Sequence, residues 1–158
     1  MTRSRQGDGW GLEPGRVRRV RRLLFALSVA GMGGVLLELL LLGHTEGTRQ
    51  LLPITALVAG LVTTCIAFVR PGVLTVGLHR LAMLACAGVG CAGLWFHYSG
   101  NAEFELEMAP TIAGLDLVRE ALTGATPVLA PGAMLLLGGL GGIASLVPSS
   151  WGTSTARG

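Results

Sequence analysis

Four apolar stretches of about 20 residues constrain this chain most, because each is long enough to cross the hydrocarbon core of a bilayer. They cover residues 23–42, 51–69, 73–96 and 128–147. Hydrophobic residues make up 51% of the sequence and charged residues only 13%, so the polar surface that a water-soluble domain needs is missing. The pattern predicts an all-α integral membrane protein built as a bundle of four transmembrane helices.

An arginine-rich run, RVRRVRR, lies directly before the first apolar stretch. We predict that residues 1–22 form a disordered cytoplasmic tail that is attracted to anionic lipid headgroups. A cleaved signal peptide is disfavoured, because its apolar core is only about 7 to 15 residues long. The expected headgroup contacts are Arg16, Arg18, Arg19, Arg21 and Arg22.

The distribution of arginine predicts the orientation, because basic residues accumulate on the cytoplasmic side of membrane proteins. With the N-terminus inside, the outer loops carry only Arg49 and Arg119, and residues 148–158 form a second cytoplasmic tail. All twelve basic residues are arginine, a bias that suggests a GC-rich bacterial genome and hence the bacterial inner membrane. The ten cytoplasmic arginines are Arg3, Arg5, Arg16, Arg18, Arg19, Arg21, Arg22, Arg70, Arg80 and Arg157.

The third connection, residues 97–127, is predicted to be a long outer loop. Within it, residues 111–123 place apolar side chains on one helical face, and this spacing predicts a short amphipathic helix. Thr111 is the expected cap at its start, and Gly124 the residue that ends it. The helix would lie on the membrane or on the bundle. Its apolar face consists of Ile112, Leu115, Val118 and Leu122.

Small residues at a spacing of four predict which helix faces pack together, because close backbone approach drives helix association in lipid. Ala30 and Gly34 mark such a face in the first helix, and Glu38 continues it. We therefore predict that Glu38 points into the bundle, either bonded to a neighbouring helix or headgroup water, or as a proton or cation site. The other small-residue faces contain Ala82, Cys86 and Gly90 in the third helix, and Gly138 and Gly142 in the fourth.

Most remaining polar residues near the ends of the spans are predicted to lie at the outer face. His97, Glu103, Glu105 and Glu107 form a candidate site for a divalent metal, since imidazole and carboxylates suit such ions, although an acidic loop is more often solvated surface. His44, Tyr98 and Asn101 are further outer-face candidates. His79 and Arg80 should lie near the cytoplasmic boundary, where His79 has no second histidine with which to share a haem. His97 and His44 could face one another at the outer boundary as the two axial ligands, but both are expected at the interface rather than buried, so haem is disfavoured.

No catalytic motif is recognisable in the sequence, and the basic residues are not spread as a nucleic-acid surface would require. We therefore expect a non-enzymatic membrane protein, an accessory or assembly subunit of a larger complex, whose partners are other membrane subunits or further copies of itself. The alternative is a metal-binding or proton-coupled small transporter with its site at the outer face.

Overall fold

The computed structural model describes residues 14–124 and 128–147, and over these residues the only regular structure is helical. Five helices follow one another in the order α1 (Pro14–Leu41), α2 (Thr48–Val69), α3 (Val73–Met108), α4 (Gly114–Thr123) and α5 (Leu129–Leu146). All except α4 are long and apolar enough to cross a membrane. This confirms the prediction of an all-α chain with four such helices.

Helix α1 begins at Pro14, so part of the segment predicted as a disordered tail is helical. Proline is favoured in the first turn of a helix, and arginine is a good helix former. Helix growth is cooperative, so the apolar stretch that follows can propagate back through Arg16–Arg22. The rest of that predicted tail, residues 1–13, and the C-terminal tail from residue 148 lie outside the described residues.

Helix α3 is the longest element and continues through residues 97–108, which were predicted to begin the outer loop. Between Ala102 and Met108 good helix formers dominate, and Pro110 follows the end of the helix. Its 36 residues correspond to about 54 Å at about 1.5 Å per residue, well beyond the ~30 Å of a hydrocarbon core. The loop prediction was therefore wrong for this segment, which extends past the other helices.

The predicted amphipathic helix is present as α4, although it starts at Gly114, with Ala113 rather than Thr111 at the N-cap. Gly124 ends it as expected. The helix is held against α3 by the side-chain amide of Asn101, which donates to the carbonyl oxygen of Ala121 at 2.9 Å. Most of the predicted apolar face is left exposed, with Leu115 at 86%.

The four long helices form a closed ring in the order α1, α2, α3, α5, each packed against the next and α5 against α1. Neighbours run antiparallel, because residues near the start of one helix contact residues near the end of the next: Arg21 reaches Ala67, and His79 reaches Gly141. We call the end formed by the start of α1 the basic end. It gathers Arg16, Arg18, Arg19, Arg21, Arg22, Arg70 and Arg80.

Helices α3 and α5 share the most extensive contact, through glycines that the sequence singled out. Gly90 and Gly138 are buried, and a Cβ built on Gly138 would lie only 2.6 Å from the carbonyl oxygen of Met83. The second predicted contact position of α5, Gly142, is not a contact: a Cβ built there would meet nothing within 4 Å. The neighbouring Gly141 is buried instead. The spacing thus identified the correct helices and one of the two α5 contact glycines.

The predicted packing face of α1 is wrong, because Ala30, Gly34 and Glu38 are all exposed. The buried side of α1 instead carries larger residues. The small residue at this contact lies on α2: a Cβ built on Gly60 would lie 2.8 Å from the sulfur of Met32. Close approach therefore arises from a large residue of α1 against a glycine of α2. The buried residues of α1 are Phe25, Ser28, Met32, Val35 and Leu39.

Candidate functional site

A cavity of about 200 Å³ lies at the end of the bundle opposite the basic end. Parts of all four long helices and of the α1–α2 turn meet there. Its polar lining includes His44, Arg49, Gln50 and His97, so it brings together two histidines that are far apart in sequence. The apolar wall includes Leu39, Pro53, Phe96, Pro131 and Met134.

The turn after α1 places His44 at this cavity. Gly43 has φ of 65°, a left-handed conformation that side chains disfavour, and so suits glycine at the end of a helix. The amide of His44 then donates to the carbonyl oxygen of Leu39 at 2.9 Å, which folds the chain back over the helix end. The half-buried imidazole of His44 thereby joins the lining of the cavity.

The cavity carries a positive charge and two imidazoles rather than a set of carboxylates. The Arg49 guanidinium lies 5.4 Å from the centroid of the Phe96 ring, a cation–π distance that holds it at the cavity wall. Gln50 is engaged by its own turn, since its amide oxygen accepts from the backbone of Glu46 at 2.7 Å. The site therefore offers two nitrogen ligands or hydrogen-bond donors beside the exposed guanidinium of Arg49.

The predicted metal set of His97, Glu103, Glu105 and Glu107 is spread along the outer part of α3. Helical geometry separates His97 from Glu103 by about 9 Å along the axis. Glu103 and Glu107 are exposed on one face, and Glu105 points elsewhere. Residues 14–124 and 128–147 contain no group of three or more histidine, cysteine, aspartate or glutamate residues placed to hold a metal ion.

The other predicted outer-face residues have structural contacts. Tyr98 is half-buried, and its ring centroid lies 6.3 Å from that of Trp95. Asn101 is buried and joins α4 to α3, as described above. Glu38 lies about one turn before the end of α1 among exposed leucines, with Leu37 at 58% and Leu41 at 78% exposure. The acid therefore faces outward rather than into the bundle.

His79 lies at the basic end, but the sequence did not predict its burial. Its side chain is fully buried among the long helices. Its Nε2 lies 3.0 Å from the carbonyl oxygen of Gly141 on α5, and its Nδ1 lies 3.3 Å from Thr64 Oγ1 on α2. The Phe25 ring of α1 stacks on it at 5.5 Å. One imidazole thus contacts all three other long helices.

The hydrogen-bond partner of His79 Nε2 determines whether this ring nitrogen carries a hydrogen. A carbonyl oxygen can only accept, so Nε2 carries the hydrogen that bonds to Gly141. A signal for this burial is present in the sequence: His79, Met83, Cys86 and Gly90 are spaced as one helix face, and all four are buried. Arg80 points the other way and is exposed, with its Nε donating to Ser145 Oγ at 3.0 Å.

The arginines predicted to contact lipid headgroups are at the surface of α1, with Arg21 half-buried. Arg21 is directed inward: its Nη2 donates to the carbonyl oxygen of Ala67 at 3.5 Å, and its guanidinium lies 4.8 Å from the Phe25 ring centroid. Within the described parts of the chain, Arg16, Arg18, Arg19 and Arg22 form no ion pair or hydrogen bond.

Comparison with known proteins yields no matching family model, no similar curated protein and no similar solved structure.

Proposed function

We propose that the chain is a multi-pass protein of the bacterial inner membrane that works without catalysis, as an accessory or assembly subunit of a larger membrane complex. Large apolar side chains are exposed along the long helices, for example Leu84 at 71% and Leu136 at 74%, and such surfaces suit lipid rather than water. The basic end would lie in the cytoplasm, with both termini, in accordance with the positive-inside rule.

The outward position of Glu38 carries the proposal of a partner subunit. Ionisable residues in membrane helices almost always face protein or a water-filled cavity, because hydrocarbon solvates a carboxyl group poorly. Among the described residues the Glu38 side chain faces neither protein nor a cavity, and its carboxyl group forms no hydrogen bond or ion pair with them. Gly34, one turn earlier, has open space around it, so the backbone of a second helix can approach closely. The complementary helix would present a hydrogen-bond donor or a cation to Glu38.

Co-purification tests this function. From its native membrane in mild detergent, the unsubstituted protein is expected to bring down a stable set of membrane subunits. The Glu38→Leu variant should lose them, because it removes the one polar anchor on that face. Glu103→Leu is the matched control, since Glu103 is also exposed but lies on the extension of α3. Recovery of a lone monomer, or equal retention of partners by both variants, would contradict the assignment.

The second candidate function is a metal-binding or proton-coupled small transporter, supported by the convergence of His44 and His97 on one cavity. It predicts that the purified protein binds about one equivalent of a first-row divalent ion, since imidazole nitrogens are ligands for these metals. His97→Ala should abolish that binding, whereas Glu107→Ala should leave it unchanged because Glu107 is exposed outside the cavity lining. Elemental analysis after dialysis against Zn²⁺ measures both, and a metal content of zero in the unsubstituted protein would exclude the site.

A further inference from the structure

A groove of about 330 Å³ lies on the outside of the bundle between α1 and α2, near the basic end. Its floor is formed by buried Phe25 and Thr64, and its rims include exposed Cys65 and Phe68. The Thr64 hydroxyl already donates to the carbonyl oxygen of Gly60 at 2.6 Å, so it adds little polarity to the wall. The volume lies at the lower limit of ligand pockets, which span about 300 to 1,000 Å³.

One end of this groove is cationic, and no described acid neutralises it. Arg22 lines the groove, is exposed and has no ion-pair or hydrogen-bond partner within residues 14–124 and 128–147. Arg18 and Arg19 precede it by four and three residues, so they lie on the same side of the helix. The described acids, Glu38 and those after it in the sequence, belong to the opposite end. The groove therefore combines an apolar channel with an unneutralised cluster of guanidinium groups.

We propose that this groove binds an anionic phospholipid, with one acyl chain along the Phe25, Val29 and Phe68 side and the phosphate against Arg22. Guanidinium groups recognise phosphate through paired hydrogen bonds, and the apolar channel matches an acyl chain. The inference rests on the proposed insertion into a membrane. It does not use the partner surface at Glu38, which follows Arg22 by 16 residues and is therefore rotated from it by about 160° around α1.

Native mass spectrometry tests the proposal on the full-length protein released from detergent. The protein is incubated either with phosphatidylglycerol or with phosphatidylcholine of the same chain length. It should retain one molecule of phosphatidylglycerol and retain phosphatidylcholine less well. Arg22→Gln should weaken that retention about fivefold, the effect expected for one basic residue near a lipid surface. Arg70→Gln is the matched control, because Arg70 is exposed at the same end of the bundle but does not line the groove, and it should change retention by less than about twofold.

The cysteines supply a second measurement within the same chain. Cys65 lines the groove, whereas Cys91 is exposed on α3 outside it. Added phosphatidylglycerol should slow alkylation of Cys65 by a membrane-permeant maleimide and leave Cys91 unaffected, so the ratio of the two rates falls. An Ala26→Phe substitution should fill the groove and remove both this protection and the retained lipid.

Equal retention of the two lipids, or an equal effect of the Arg70 and Arg22 substitutions, would overturn the proposal. Carbonate extraction of membranes separates this outcome from failure of the proposed function. A protein that resists extraction but shows no lipid preference refutes the groove assignment alone. Conversely, preferential lipid retention without co-purifying subunits supports the groove and refutes the accessory role. Displacement of lipid by a co-purified protein segment at Cys65 would also overturn the assignment to a phospholipid.

Discussion

A Gly138→Ala variant is expected to be less stable than the unsubstituted protein by about 1 to 3 kcal/mol, the usual cost of overpacking a well-packed core. The added Cβ would lie 2.6 Å from the carbonyl oxygen of Met83 and 2.8 Å from the amide nitrogen of Ala87. Both are backbone atoms of α3, which cannot rotate away as a flexible side chain can. Separation of α3 and α5 would weaken the largest helix–helix contact of the bundle. Thermal unfolding in mild detergent measures the loss.

Gly139 provides the matched control on the same helix. A Cβ at Gly139 would meet nothing within 4 Å. The Gly139→Ala variant should therefore be neutral or gain up to about 1 kcal/mol, because alanine is the better helix former. A similar response of the two variants would show that helix propensity, and not the contact between α3 and α5, dominates at these positions.

The second large effect is expected at His79. Truncation of this fully buried side chain by His79→Ala should lower stability by about 2 to 5 kcal/mol, as for other large-to-small changes in a core. Its interhelical hydrogen bonds to Gly141 and Thr64 are expected to contribute only about 0.6 kcal/mol each. Most of the loss should come from the cavity left beneath Phe25. Thermal unfolding in detergent again gives the measurement.

His44→Ala tests whether this effect depends on burial. His44 is only partly buried in the turn after α1, so its truncation should cost less than about 1 kcal/mol. If the two histidine variants unfold at the same temperature, His79 does not pin the helices together. A mild effect of His79→Leu with a large effect of His79→Ala would assign the stability to packing rather than to hydrogen bonding.

The sequence by itself determined the number of long helices and the turns between α1 and α2 and between α2 and α3, but not how far α1 and α3 extend. Runs of apolar residues and the breaks at Gly43 and Pro71–Gly72 are local signals, and local signals are what hydrophobicity and turn propensities record. The amphipathic helix α4 was predictable for the same reason. The burial of Gly90 and Gly138 was also predictable, because an interface that brings two backbones together excludes larger side chains from those positions.

The packed face of α1 and the burial of His79 were decided by tertiary structure. From Leu23 onward nearly every position of α1 is apolar or small, so the sequence does not distinguish a face in lipid from a face in the bundle. Helix α2 determines which face of α1 is buried, because Met32 packs against Gly60 of α2. His79 likewise lies within hydrogen-bond distance of Gly141, 62 residues further along the chain, and of Thr64 on a neighbouring helix. Such partners are absent from any local pattern, because a buried polar group is satisfied only after the helices assemble.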